Sequence, residues 1–173
     1  MNQLAPISAQ DRAATIEVAQ APAQYLTFTL GGEEYAVDIL RVQEIKGYSS
    51  VTSIPNAPAW VKGVMNLRGT VVPVFDMRLK FGMEPRAYDR FTVIVVVNVG
   101  VRVVGLIVDS VSDVLDIPAS AIEPTPDLGA GVDTRVLQGI ARTNERLVTL
   151  LDIDAVVELD GAAARAVVEP LAA

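Results

Sequence analysis

The chain has 173 residues, 51% of them apolar and only 5% aromatic, with a formal net charge of −7. That length suits one domain or two small ones sharing a core, and the apolar share excludes wholesale disorder. Cysteine and histidine are both absent, which removes disulfides, thiolate nucleophiles, most zinc sites and the usual general base near neutral pH.

Residues 1–22, rich in Ala and Gln with two prolines, read as a disordered leader without a signal-peptide pattern. QYLTFTL at 24–30 places Leu26, Phe28 and Leu30 on one face and predicts a half-buried strand. Gly31-Gly32 turns it into a hairpin partner, EEYAVDI. LRVQEI follows, with Glu44 between apolar neighbours, and SIPNAPAW reads as a loop. KGVMN and TVVPVF flank an Arg68-Gly69 turn as two strands. Pro73 predicts that the second of these is an edge or carries a bulge. DMRLKFG predicts a short helix with Asp76 as N-cap and Gly82 as its stop.

VIVVVNVGVRVVGLIV at 93–108 is too short and too β-branched for a membrane span and predicts a hairpin. The second half then repeats the plan of the first. VQEI at 42–45 matches VSDV at 111–114 at an offset of 69, and Pro55 matches Pro124. GVM at 63–65 matches GIA at 139–141, and VPVFDM at 72–77 matches VTLLDI at 148–153, both at an offset of 76. The seven extra residues fall in the Pro/Gly stretch EPTPDLGAGVDTR, a surface loop.

Each copy holds about five short strands and a terminal helix. Five short strands close best as a small barrel, which removes free edges. The expected fold is mainly β: two five-stranded barrels with short helices and a third core between them. Subdomain 1 is expected at about 23–85 and subdomain 2 at about 86–159, with a crossover of the chain ends between barrels left open. Residues 160–173 read as a flexible tail.

The charge is uneven. Residues 1–90 balance nine basic against nine acidic side chains, and residues 91–173 hold five against twelve. No basic patch is visible, which argues against nucleic acid and anionic membranes. Asp76 and Asp152 follow strands and precede helices, so capping is favoured over acid–base pairing. Asp109 and Asp113 lack a third ligand for a metal, and no phosphate loop occurs. Glu44 and Arg68 taken alone read as an outward strand residue and a solvated turn residue. No catalytic residue, cofactor or metal site is expected.

The segments LGGEEYAVDILRVQEIKGY, VKGVMNLRGTVVPVFDMRLKFG and VVVNVGVRVVGLIVDSVSDVLDI, together with the NLRG turn, resemble the chemotaxis coupling protein family CheW across Tyr25 to Leu159. Met77 stands where many relatives have Leu. The resemblance implies two five-stranded SH3-like barrels and no catalysis. It implies a cytoplasmic adaptor, monomeric in isolation and recruited to membrane-bound receptor arrays. Its partners would be the cytoplasmic tip of a chemoreceptor and the regulatory domain of a CheA-type histidine kinase. The family's receptor-binding surface maps to Val42, Glu44, Gly63, Arg68, Gly69, Val93, Gly105, Val111 and Val114. The valines would line a groove between the barrels, Gly63 and Gly105 would let the partner backbone approach, and Arg68 and Glu44 could pair at the rim. Edges near Val74 and the 124–138 loop are offered for the kinase.

Overall fold

The period-two apolar pattern becomes eleven strands in a computed structural model that describes residues 22–126, 134–143 and 145–158. The expected leader up to residue 21, the tail from 160 and the middle of the Pro/Gly loop lie outside the described residues. In the first copy, β1 (Ala23–Leu30) and β2 (Glu33–Asp38) form a hairpin, and a 3-10 turn over Ile39–Arg41 leads to β3 (Val42–Gly47). A second hairpin, β4 (Val61–Leu67) and β5 (Thr70–Asp76), runs into helix α1 (Met77–Lys80). The second copy follows the same order. The hairpin of β6 (Val93–Val99) and β7 (Arg102–Val108) precedes β8 (Ser110–Ile117) and a short β9 (Ile122–Glu123). The hairpin of β10 (Leu137–Thr143) and β11 (Arg146–Leu151) then runs into α2 (Ile153–Glu158).

The sheets do not divide at residues 85 and 86, as the sequence suggested. One sheet runs β3-β6-β7-β5-β4 and the other β8-β1-β2-β11-β10-β9. Each copy therefore lends its first hairpin to the other copy's sheet. Exchanging the copies maps the first order onto the second, apart from the additional β9. One contribution lies at Asp109, the single residue between β7 and β8. A reversal into a hairpin takes at least two loop residues, so β8 cannot fold back on β7; the three-residue link Ile39–Arg41 between β2 and β3 makes the same crossover in the first copy. In the other sheet β8 pairs with β1, while β3 pairs with β6.

The exchange explains the burial. On β6, Ile94 and Val96 point into one barrel, and Val95, Val97 and Val99 point into the core between the barrels. β1 divides in the same way: Tyr25 faces its own barrel, while Leu26, Phe28 and Leu30 join the shared core. Thus β1 is buried on both faces rather than one. Thr27, fully buried, is satisfied by hydrogen bonds of 3.0 Å to the Asp113 backbone N–H and carbonyl at a bulge. Continuous valine runs are what strands covered on both faces require.

Pro73 is tolerated inside a central strand because β5 pairs with β7 only over Val74–Asp76; at Pro73 its one ladder is with β4. Val74 is correspondingly buried between β4 and β7, not on an exposed edge.

Candidate functional site

The β4–β5 hairpin closes on a two-residue turn in which Arg68 has φ 52° and Gly69 φ 87°. Positive φ at both positions defines the type I′ geometry that matches the twist of paired strands. Glycine adopts it freely; an arginine does so at a cost of about 1–2 kcal/mol. The turn holds Arg68 73% exposed, and its Nη2 donates to Glu44 Oε2. Glu44 comes from β3, where the ladder with β6 shifts register between Val42 and Glu44. A bulge of this kind re-aims the side chains beside it. The charge pair is therefore assembled from two local irregularities, a bulge and a left-handed turn residue. The same turn is held by Asn66, whose Oδ1 accepts from the Gly69 N–H at 2.7 Å.

The other predicted residues fall into separate environments. Val42, Val93 and Val111 are partly buried and pack against the inter-barrel core. Val42 and Val93 stand at opposite ends of the β3–β6 ladder, opposite Val97 and Gly47. Val114 on β8 is exposed. Val42 and Val111 are repeat mates on the two outer strands β3 and β8. The mate of Glu44 is Asp113, whose Oδ1 accepts from the Val114 N–H, so the second copy spends its carboxylate on backbone.

For Gly63 and Gly105 the expected reason is corrected. A Cβ on Gly63, at φ 143°, would lie 1.9 Å from the Thr52 carbonyl oxygen. The strand segment around Thr52, bridged to Val64, occupies the space reserved for a partner backbone. A Cβ on Gly105 would lie 2.9 Å from Ile94 Cγ2 inside the first barrel. Both glycines serve the barrel's own packing.

Asp76 and Asp152 cap α1 and α2 through bonds of 3.2 Å from the Leu79 and Ala155 N–H groups. The second Asp76 oxygen accepts from Tyr88 Oη at 2.6 Å. Burial, with this bond to Asp76, pushes the Tyr88 phenol well above its usual range. Asp109 accepts two bonds from Arg78, at 2.7 and 2.8 Å, and one from the Gly31 N–H at 2.9 Å. Burial alone would raise its carboxyl; the bonds from Arg78 and Gly31 outweigh that and hold it below the ordinary aspartate value. Sequence reasoning missed both Asn66 and this junction. An Asn two residues before an Arg-Gly turn signals a side-chain-capped loop, whereas nothing local foretells that Asp109 meets Arg78.

Among the described residues no group of three or more His, Cys, Asp or Glu is placed to hold a metal ion, and no helix is long and apolar enough to cross a membrane. Two barrels sharing one core, with a solvent-facing charge pair at the edge of one, define a β-barrel interaction module. Comparison with known proteins specifies it. Residues 24–160 match the model of the CheW-like domain. The chain is 50% identical over 131 residues to the chemotaxis protein CheW of Klebsiella aerogenes, covering 76% of this chain and 79% of that one. It is 34% identical over 137 residues to CheW of Helicobacter pylori, with 79% and 82% covered. The solved structure of the scaffolding protein TtCheW from Thermoanaerobacter tengcongensis superposes with a TM-score of 0.74 at 34% identity, over 81% of this chain and 90% of that one. This chain belongs to the CheW-like family.

Proposed function

We propose that the chain is a non-catalytic adaptor that couples transmembrane chemoreceptors to a CheA-type histidine kinase, working in the cytoplasm beneath the receptor array. Membership of a family whose relatives are named chemotaxis and scaffolding proteins supports the class. The single observation that carries the site is the exposed Arg68 held against Glu44 at the edge of the first barrel. Recognition is of the helix-in-groove type: a receptor helix lays apolar side chains against the valine-lined margin of the inter-barrel core, and the charge pair sets its orientation. An exposed pair contributes about 0–1 kcal/mol to folding, so its value lies in specificity. In this reading Gly69 allows the turn that presents Arg68, and Val42, Val93, Val111 and Val114 supply apolar contact.

The test is direct. The purified protein is titrated with a chemoreceptor cytoplasmic fragment and, separately, with the regulatory domain of a CheA-type kinase. Binding to both at tens of micromolar or tighter is expected; binding to neither sinks the adaptor reading.

A further inference from the structure

We infer that Asn66, a residue with no place in the charge pair itself, is the positioning residue that holds Arg68 in its left-handed conformation and so aims it at Glu44. The inference rests on the reading of Arg68 and Glu44 as a recognition pair, and it deepens that reading.

Three observations carry it. First, Arg68 sits at φ 52°, a conformation that side chains bearing a Cβ adopt only when their surroundings impose it. Second, the Asn66 Oδ1 bond spans the strained residue from before to after, ending on the Gly69 N–H at 2.7 Å. A rotation of Arg68 out of the left-handed region would swing the next peptide unit and break that bond. Third, the protein contains its own control. The hairpin β10–β11 is the repeat mate of β4–β5, and at an offset of 76 Arg142 takes the place of Asn66. Glu145, the mate of Gly69, also has positive φ, at 67°. A hairpin of this plan therefore closes without an Asn at that position. The barrel does not require Asn66; the copy that presents an arginine has it. Asn66 is exposed, so it is not held there by core packing either.

The experiment separates positioning from partner binding by reading the first on the protein alone. In the whole chain, Asn66→Ala is compared with Asn66→Asp, which keeps the acceptor oxygen. By NMR, Asn66→Ala is expected to speed exchange of the Gly69 amide about three- to tenfold, from loss of one hydrogen bond, and to move the Arg68 backbone coupling constant away from the left-handed value. Asn66→Asp is expected to restore both. With a chemoreceptor cytoplasmic fragment as probe, Asn66→Ala weakens binding about three- to tenfold, and loses nothing further in an Arg68→Ala background. Unchanged Gly69 exchange and unchanged Arg68 coupling in Asn66→Ala overturn the inference. So does a binding loss that persists in full without Arg68. If the unmodified protein binds no receptor fragment, the adaptor reading falls, and the NMR result still decides whether Asn66 positions Arg68. If Asn66→Ala fails to fold, the residue is structural and the inference is overturned.

Discussion

At the scale of single residues, the arginine of NLRG and the glycine three residues from its start have opposite roles. Arg68 faces solvent and is tied to Glu44, so on the proposed adaptor reading, reversing either charge is expected to affect recognition and leave the fold intact. Arg68→Glu and Glu44→Arg are each expected to weaken receptor binding at least tenfold while shifting stability by no more than about 1 kcal/mol. The double swap should recover part of the binding, which a double-mutant cycle measures. A thermal midpoint that collapses in Arg68→Glu would instead make the arginine structural. Gly63 is the reverse case. Its added Cβ meets a backbone carbonyl at 1.9 Å, whereas at its repeat mate Gly139 the nearest carbonyl, of Glu123, stands at 2.7 Å. Gly63→Ala should therefore cost about 2–4 kcal/mol in denaturant unfolding, and more than Gly139→Ala. Equal costs would refute the assignment of Gly63 to backbone packing.

At the scale of elements, the junctions between the copies are held by two ion pairs of opposite sense. Arg78 on α1 binds Asp109, the link between β7 and β8. At the offset of 76 the mate of Arg78 is Asp154 on α2, and it binds Arg41, which precedes β3. The second pair is about 40% exposed on both sides, and its net worth is small. The first is only 15% and 12% exposed, and Asp109 also receives the N–H of the β1–β2 turn. Removing the carboxylate charge there leaves a largely buried guanidinium with the Glu84 carbonyl but no counter-charge in direct contact, and Asp109→Asn should cost about 2–4 kcal/mol. The pH dependence follows from the sign of the shift. The folded value of Asp109 lies below its ordinary one. Its stabilisation is therefore present in full above the ordinary carboxylate range, and is lost as pH falls through the depressed folded value. Melting curves from pH 7 down to pH 2 should show a shallower acid-side decline for Asp109→Asn than for the unmodified protein. Parallel declines would remove Asp109 from the acid response.

At the scale of the whole molecule, the exchange of first hairpins makes the two barrels interdependent. A fragment of residues 22–85 keeps β1–β5, but β1 loses β8, β2 loses β11, β3 loses β6 and β5 loses β7. Neither it nor residues 86–158 should fold alone, and the full chain should melt in one transition, because the core joining Phe28, Phe75 and Val97 belongs to both sheets. A well-dispersed NMR spectrum from the 22–85 fragment would show the halves to be autonomous.

Much of this was legible in the residues. The alternation of QYLTFTL and the valine runs dictated strands, because period two is a local property of an extended chain. The caps Asp76 and Asp152 and the Arg68-Gly69 turn were visible for the same reason: each is satisfied within a few residues. The repeat announced two related barrels and a shared core. What the sequence could not contain was the partnership of strands. Both copies carry the same alternation, so β1–β2 would satisfy either sheet by pattern alone, and the choice is made by packing across the shared core. The same limit hid the contact of Gly63 with Thr52 and the Arg78–Asp109 junction, and the meeting of Glu44 with Arg68 was foreseen through the family resemblance and not from local pattern. These bring together residues far apart in the chain, and only the closed tertiary structure selects which of them touch.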